Sequence, residues 1–358
     1  MIALQLHFQT FSKCRSDSRQ SRKIPDMSRA GLHAQCLCIQ GAQCSESAPI
    51  SLACLAVHLQ SCGLTVLVLL PERDDIQRRT APLLRDTPVR TFQSALMLRE
   101  LVAAAQPACV VLSSHDACFQ ELRRDRRTVR WAHEVQRCYD PQASRCFTPL
   151  FAAAPQPLLP LAGFVGMARS YATIAHLDCS GGCYTPGPLR VLGCGDMSNP
   201  RCNFKAFEAL ASKHNTIRFL WHGATRNKRW GNIDFYNADV SLMDVWHRVD
   251  MLLWCEESDL CPLLIFQALW SGIRVMLFEK SFQYGLTPLN SDLDGSPLLQ
   301  ISSGALMQAP LHKVPKNPRA SADIVKAREY VQSTVGHPPP ALVQAVLGLV
   351  SDHSLTVL

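Results

Sequence analysis

Residues 244 to 278 read DVWHRVDMLLWCEESDLCPLLIFQALWSGIRVMLF. The apolar run from Met251 to Cys255 predicts a buried strand, and acidic residues follow it in a turn. Pro262 then begins an apolar helix that ends before Gly272, and the next apolar run predicts another strand. The segment is therefore a βαβ unit, and open parallel sheets bind ligands beyond the carboxyl ends of their strands. The acidic turn is accordingly a candidate substrate site.

Strand and helix signals also alternate through the chain ahead of this segment. Alternation of this kind is typical of a parallel sheet covered by helices. It predicts a first Rossmann-like domain over residues 33–185. Its predicted elements are a helix at 49–61, a strand at 64–70, a helix at 94–105, and strands at 109–113 and 129–132.

Residues 140 to 188 contain clustered prolines and glycines, which predict irregular chain and a linker between domains. Within them, Met167 to Leu177 has the pattern of a short helix. Strand and helix signals then resume, which predicts a second Rossmann-like domain over residues 186–358. Its predicted elements are strand 189–192, helix 203–212, strands 217–221 and 233–236, helix 242–248, the unit quoted above, and helices at 320–334 and 340–350.

The composition of the 358-residue chain is that of a soluble globular protein, with 47% hydrophobic and 18% charged residues. No apolar run approaches the roughly 20 residues that a membrane helix needs. Residues 1–32 are basic and poor in acids, so we predict a disordered tail or a targeting segment there. The 16 cysteines follow no secretory signal and lack zinc-site spacing, which predicts reduced thiols, no bound metal and a cytoplasmic protein.

Much of the positive charge lies in the basic tail and in the cluster from Arg123 to Arg130, within a net charge of +7. That cluster has no interleaved aromatic residues, which argues against nucleic-acid binding. A phosphate-bearing small molecule, or peripheral contact with an anionic membrane surface, accounts for the charge equally well.

The quoted segment resembles the donor-binding motif of GT-B glycosyltransferases, and most closely that of glycosyltransferase family 4. The family's pattern of an acid, seven residues and a glutamate falls on Asp259 and Gln267. The resemblance implies the GT-B fold, an α/β architecture in which two Rossmann-like domains with parallel sheets face a central cleft. It also implies retaining transfer of a sugar from a nucleotide-sugar to a glycan, lipid or protein acceptor, without a metal or cofactor. The final helix is expected to cross back to the first domain.

The diphosphate loop of the family is degenerate in this chain. Residues 190 to 203 read RVLGCGDMSNPRCN, in which glycines after a strand allow a phosphate to approach the backbone. The family continues with Arg-Lys-Gly or Arg-Lys-Asn, whereas Arg201-Cys202-Asn203 has a cysteine at the lysine position. Because negative charge grows on the leaving diphosphate, a missing lysine weakens its stabilisation. The candidate replacements, unless they form a solvated basic loop, are Arg226, Lys228 and Arg229.

Two further segments resemble family motifs in the order that the family has them. Residues 47 to 71 look like the first loop, helix and strand, with Ser47 at the usual glycine position. The resemblance places Ser47, Ala48 and Pro49 on the acceptor side of the cleft. Residues 130 to 134, Arg-Trp-Ala-His-Glu, resemble the strand end whose histidine faces the donor sugar. His133 is therefore expected to contact a sugar hydroxyl, because a neutral imidazole both donates and accepts hydrogen bonds.

The resemblance assigns a role to Gln267 and implies two groups of residues around the donor. Gln267 keeps a carbonyl acceptor for ribose hydroxyls but no charge, so nucleotide binding is expected to weaken. Together with Cys202, it is also consistent with an alternative function, that of a degenerate non-catalytic relative that serves as a binding protein. The expected catalytic residues are Asp259, Glu257 and His133. The expected donor-binding residues are Gly193, Gly195, Arg201, Glu256, Pro262, Leu263 and Gln267.

Overall fold

The computed structural model describes most of the chain after the basic tail. The described residues are 34–41, 47–113, 119, 122, 125, 127–131, 146–148, 164–167, 172, 187–237, 240, 242–255, 263–278, 298–302, 311 and 321–356. Residues 33–358 belong to one compact unit. The tail predicted for residues 1–32 lies outside the described residues.

The first half of this unit is a seven-stranded parallel sheet. Its strands are β1 (Cys36–Gln40), β2 (Val66–Pro71), β3 (Val89–Phe92), β4 (Cys109–Ser113), β5 (Thr128–Trp131), β6 (Cys146–Thr148) and β7 (Phe164–Met167). In space they follow the order β3-β2-β1-β4-β5-β6-β7. The central strands are apolar at almost every position, since helices cover both faces of a parallel sheet. Those helices include α1 (Ser47–Ser61), α2 (Asp74–Thr80) and α3 (Ala95–Ala105).

The second half is another seven-stranded sheet, parallel except for one edge strand. Its strands are β8 (Arg190–Cys194), β9 (Arg218–Ala224), β10 (Lys228–Trp230), β11 (Ile233–Asn237), β12 (Met251–Leu253), β13 (Arg274–Phe278) and β14 (Leu299–Ser302). Their order is β10-β11-β9-β8-β12-β13-β14. The helices are α4 (Phe204–Lys213), α5 (Leu242–Trp246), α6 (Leu263–Trp270), α7 (Ser321–Val335) and α8 (Pro340–Thr356).

The order of the strands reverses once in each sheet. From β1 the chain moves outward to β2 and β3 and then returns to β4, on the other side of β1. Strands β8 and β12 have the same relation in the second sheet. Such a reversal leaves a crevice at the carboxyl ends of the two adjacent strands, and α/β proteins bind ligands there. The predicted pair of Rossmann-like sheets is confirmed.

The last helix, α8, packs against the first sheet. Leu342, Val346 and Leu349 lie in the same buried cluster as Cys36 and Val111. The preceding helix, α7, packs against α6 of the second half. The expected return of the final helix to the first half is therefore confirmed. The domain boundary near residue 186 stays a prediction, within the interval between Met167 of β7 and Arg190 of β8.

The sequence prediction is wrong for several short elements. Residues 140–188, expected to be irregular, contribute β6 and β7 to the edge of the first sheet. Met167 ends β7, and the amide of Ala172 donates to the carbonyl of Val335 at 3.0 Å, so neither residue is part of the predicted helix. Elements of three to seven residues are too short to show a period, which also explains why α2, β3, β10 and β14 were not predicted.

Two expectations from composition concern thiols and membrane helices. Among the described residues, eight cysteines are thiols that form no disulfide, and all of them except Cys62 are buried; they lie at positions 36, 38, 54, 62, 109, 194, 202 and 255. No helix in the described part of the chain is long and apolar enough to cross a membrane.

Candidate functional site

The crevices of the two sheets meet at a buried hydrogen bond. Helix α1 follows β1 and helix α6 follows β12, so the first residue of each helix lies at the carboxyl edge of its sheet. The hydroxyl oxygen of Ser47 accepts a hydrogen bond of 2.9 Å from the backbone N–H of Leu263. Both residues are only 2% exposed. The two carboxyl edges therefore face each other across a central cleft, which is closed at this point.

Apolar side chains surround this hydrogen bond. Ile50, on the first turn of α1, packs against the buried clusters of both sheets. Ala48 and Pro49 are buried on the same turn. The structure thus places the three predicted acceptor-side residues at the contact between the halves, where water is excluded.

The glycines after β8 are required by packing. A Cβ atom at Gly193 would lie 2.6 Å from the ring of Phe207 and 2.7 Å from the ring of Trp221. Gly195 has a φ of +127°, and a Cβ there would lie 2.5 Å from the sulfur of Cys202. No larger residue fits at either position without a shift of its neighbours. Packing against buried side chains of the second half therefore accounts for these glycines without a ligand.

The backbone of Gly195 is engaged with the neighbouring strand. Its N–H donates to the carbonyl of His222 at 3.0 Å, and its carbonyl accepts from the indole N–H of Trp221 at 3.0 Å. The expectation that this amide is available to a phosphate is therefore not met in this structure. His222 is 7% exposed, and its Nε2 donates to the carbonyl of Val240 at 2.8 Å. In the neutral ring, Nδ1 is then an acceptor at the carboxyl end of β9.

Arg201 is held in a single 3₁₀ turn between β8 and α4. The Asn199 side chain accepts from the Arg201 amide at 3.1 Å and begins this turn. The Arg201 side chain is half-buried, and its guanidinium forms no hydrogen bond or ion pair with any described residue. Asn203, at a φ of +52°, donates from its side chain to the carbonyl of Cys255 at 2.8 Å. The turn with Arg201 is thereby fixed against the last described residue before the acidic turn.

Cys202 points into the core of the second half. It is 2% exposed and belongs to the cluster that contains Phe207 and Trp221. Burial raises the pKa of the neighbouring Cys255 thiol, and the proximity of Cys202 adds to this shift. The family's lysine therefore has no counterpart facing the cleft at position 202. A hydrophobic thiol occupies its place in the sequence and fills space next to Gly195.

Gln267 lies on a helix that is buried all round. Every residue of α6 is at most 8% exposed, and Gln267 is itself 8% exposed. A carboxylate at this depth would lose most of its hydration, whereas an amide loses less. The neutral side chain at this position is therefore consistent with the burial of its helix. The sequence alone indicated the missing charge but not the depth.

Two of the three proposed replacement cations lie away from this turn. Lys228 and Arg229 are exposed on β10, the outermost strand, which is separated from β8 by β11 and β9. Arg226 is exposed in the loop before it. The alternative of a solvated basic segment is correct for Lys228 and Arg229.

Several expected site residues fall outside the described residues. They are Glu256, Glu257, Asp259, Pro262 and His133. Within the described part of the chain, no group of three His, Cys, Asp or Glu side chains is arranged to hold a metal ion. His222 is a further polar residue at this edge, which the sequence did not single out because it lies within the mostly apolar strand β9.

No protein-family model and no curated protein sequence matches the chain. Its fold is nevertheless shared with solved structures. HepE from Anabaena, solved in complex with UDP and glucose, has a TM-score of 0.59 at 11% identity, covering 91% of this chain and 99% of its own. Sucrose-phosphate synthase from Thermosynechococcus elongatus has a TM-score of 0.55 at 11% identity, covering 90% and 100%. A glycosyltransferase from Rickettsia africae has a TM-score of 0.53 at 11% identity, covering 90% and 97%.

The comparison confirms the expected fold class. The chain has the GT-B fold, with two Rossmann-like units whose parallel sheets face a cleft. At 11% identity, this likeness concerns the fold alone.

Proposed function

We propose that the protein is a retaining glycosyltransferase that moves a sugar from a nucleotide-sugar to a glycan, lipid or protein acceptor. The placement of Arg201 is the observation that supports this most. Arg201 is half-buried on the turn that follows β8, beside the crevice between β8 and β12, and its guanidinium has no partner among the described residues. Asn203 holds this turn against Cys255, directly ahead of the acidic turn. A cation on this turn, together with the acidic residues that the sequence has after Cys255, would match the two opposite charges that develop when a sugar diphosphate is cleaved.

Charge separation in the transition state accounts for the assigned roles. As the bond between sugar and diphosphate breaks, negative charge grows on the phosphate and positive charge on the sugar ring. Arg201 stabilises the phosphate through charge-assisted hydrogen bonds. In this proposal Asp259 and Glu257 stabilise the sugar from the acidic turn, and His133 contacts a sugar hydroxyl from the first half. Neither a metal nor a cofactor takes part.

The remaining donor-site roles follow from position. The start of α6 favours negative charge, because the amide dipoles of a helix leave its first turn partly positive. Gln267 offers its carbonyl to the ribose hydroxyls. The Ser47 turn closes the acceptor side. The donor-site residues in this proposal are Arg201, Glu256, Pro262, Leu263 and Gln267, while Gly193 and Gly195 shape the turn that carries Arg201. Ala48 and Pro49 belong to the same turn as Ser47.

A non-catalytic protein that binds a nucleotide-sugar is the second candidate. It is favoured by the reduced number of groups that face a diphosphate. Cys202 is turned into the core, the Gly195 amide is bonded to His222, and the Leu263 amide is bonded to Ser47. Both candidates use the same pocket and differ in turnover.

Nucleotide binding followed by turnover separates these candidates. UDP, GDP and ADP are added separately to the full chain with EDTA present, and the melting temperature is measured, since a ligand stabilises the state that binds it. Nucleotide-sugars with the selected base are then assayed for nucleotide release, in the wild type and in Asp259→Asn. Release that Asp259→Asn abolishes supports the transferase, and binding without release from any donor supports the non-catalytic protein. A melting temperature that no nucleotide raises overturns both.

A further inference from the structure

The outer edge of the second sheet ends in a short hairpin. Strands β10 and β11 are joined by Gly231 and Asn232, with Gly231 at a φ of +58°, as a type II′ turn requires at its first central position. The Asn232 side-chain amide donates to the carbonyls of Ala211, His214 and Ile217 at 2.9, 3.0 and 3.1 Å. The hairpin is therefore fixed against the turn between α4 and β9.

One large aromatic side chain is exposed on this hairpin. Trp230 is 60% exposed, whereas Trp131, Trp221, Trp246, Trp254 and Trp270, which complete the six tryptophans of the chain, are at most 8% exposed. An indole has an apolar body and one polar N–H, so it is most stable at a boundary between apolar and aqueous phases. In a purely aqueous environment, most of the apolar surface of Trp230 stays exposed to water.

The segment of sequence around this tryptophan is rich in cations. Between residues 211 and 237 the chain has Lys213, Arg218, Arg226, Lys228 and Arg229, against a single acid, Asp234. Arg218 and Arg229 share the Asp234 carboxylate at 2.6 and 3.7 Å, so it neutralises only one of them. The Lys228 ammonium lies 4.7 Å from the centre of the Phe235 ring, which holds it beside the hairpin. We call Lys213, Arg218, Lys228, Arg229 and Trp230 the tryptophan edge.

We propose that the tryptophan edge binds the surface of a membrane that contains anionic lipids. Its excess of cations is complementary to lipid headgroups, and Trp230 is positioned to enter the interface between headgroups and acyl chains. A single-stranded nucleic acid fits less well, because it is bound by several rings on which successive bases stack, and Trp230 is the one large aromatic side chain exposed among the described residues. A peptide strand added to β10 also fits less well, since the edge is three residues long and contains lysine.

Trp230 lies towards the amino edge of the sheet, away from the candidate site, and β10 is separated from β8 by β11 and β9. Trp230 pairs with Ile233, and Ile233 pairs with Phe219 near the start of β9. Arg201 follows the carboxyl end of β8, in the same sheet. Substitutions at the tryptophan edge therefore leave nucleotide binding unchanged, so the two proposals are tested independently.

Vesicle flotation of the full chain tests the proposal. Vesicles of phosphatidylcholine are compared with vesicles that also contain phosphatidylserine, at low and high salt. We expect binding only when phosphatidylserine is present, and weaker binding at high salt because exposed charges are screened. Lys228→Gln with Arg229→Gln is expected to weaken binding on the order of thirtyfold, and Trp230→Ala on the order of tenfold. Leu96→Ala, which changes an equally exposed apolar residue on α3, is the control and retains wild-type binding.

Fluorescence quenching by iodide provides a second readout at the same residue. Trp230 is the one tryptophan that iodide reaches in solution, so vesicles containing phosphatidylserine should remove the quenchable component of the wild type. Trp230→Phe, which keeps an aromatic ring, should lack that component yet still float with vesicles. The proposal is overturned if the wild type ignores phosphatidylserine, if Trp230→Ala and Lys228→Gln with Arg229→Gln float like the wild type, or if the chain binds an RNA oligonucleotide and no vesicle.

Discussion

The Ser47 hydroxyl accepts a hydrogen bond from the Leu263 amide, 216 residues further along the chain. Amides in the first turn of a helix have no partner within the helix, and serine is among the side chains that best supply one. In this protein the serine comes from the other sheet. This polar contact therefore links the crevices at the carboxyl edges of the two sheets. The glycine that GT-B glycosyltransferases of family 4 have at this position offers no such hydroxyl.

Replacing Ser47 by alanine leaves the buried Leu263 amide without this partner. We expect the free energy of unfolding to fall by about 1–3 kcal/mol, which is the cost of an unsatisfied buried donor. Urea unfolding followed by tryptophan fluorescence measures the change. Ser61→Ala is the matched control on the same helix, because the Ser61 hydroxyl donates to the His58 carbonyl at an exposed position. If both variants lost the same free energy of unfolding, the contact between the halves would stabilise the protein no more than an exposed hydrogen bond does.

Replacing Ser47 by glycine tests whether its hydroxyl competes with the donor. On the proposed function, the freed Leu263 amide becomes available to a phosphate oxygen. We expect the Kd of the preferred nucleoside diphosphate to fall by about twofold to tenfold, the net value of one hydrogen bond. Isothermal titration calorimetry of Ser47→Gly and Ser47→Ala measures it. A weaker affinity in both variants would instead mean that the Ser47 hydroxyl itself contacts the nucleotide.

Removing the charge of Arg201 tests the observation on which the proposed function depends most. Arg201→Gln keeps much of the side-chain length but loses the charge-assisted hydrogen bonds to the diphosphate. We expect nucleoside diphosphate affinity to fall by about tenfold to a hundredfold, with little change in thermal stability, because the guanidinium has no described partner. Arg85→Gln, at an exposed position of the first half, is the control and leaves affinity unchanged. If Arg201→Gln bound the nucleoside diphosphate as tightly as the wild type, the diphosphate would not bind at this crevice.

The long elements of this fold could be predicted from the sequence, because each has enough residues to show an apolar run or a helical period. The apolar run of β12 and helix α6, with Gly272 after it, predicted one βαβ unit almost residue by residue. Strand β4 was predicted with its observed bounds. Edge elements such as β6 and β10 contain three residues each, and their sequences resemble loops. Local pattern therefore predicts the centre of each sheet better than its edges.

The position of the Arg201 turn could be predicted from the sequence, whereas its contacts could not. The turn containing Arg201 lies beside the carboxyl end of β12, as expected from the βαβ pattern. The partners of Gly195 and the contact between Ser47 and Leu263 depend on how distant strands lie together, which spacing along the chain does not encode. The burial of Cys202 likewise results from packing against Gly195 and Phe207.

Introducing the family's lysine at position 202 is expected to destabilise the protein. The position is 2% exposed, so a lysine must either bury its ammonium or displace the turn that contains Arg201. We expect a loss of at least about 2 kcal/mol in unfolding free energy and no gain in nucleotide affinity, measured by urea unfolding and calorimetry.

Ser198→Lys is the matched control for this variant, because it adds a cation to the same turn at an exposed position. Its stability should stay within about 0.5 kcal/mol of the wild type. The comparison distinguishes a cysteine that merely lacks the lysine's charge from a cysteine on whose burial the turn depends. If Cys202→Lys were as stable as Ser198→Lys and bound nucleotide more tightly than the wild type, the cysteine would be a simple loss of a cation facing the cleft. If only Cys202→Lys is destabilised, the packing of the turn requires a buried thiol at position 202. Arg201 is then the residue of this turn that supplies positive charge.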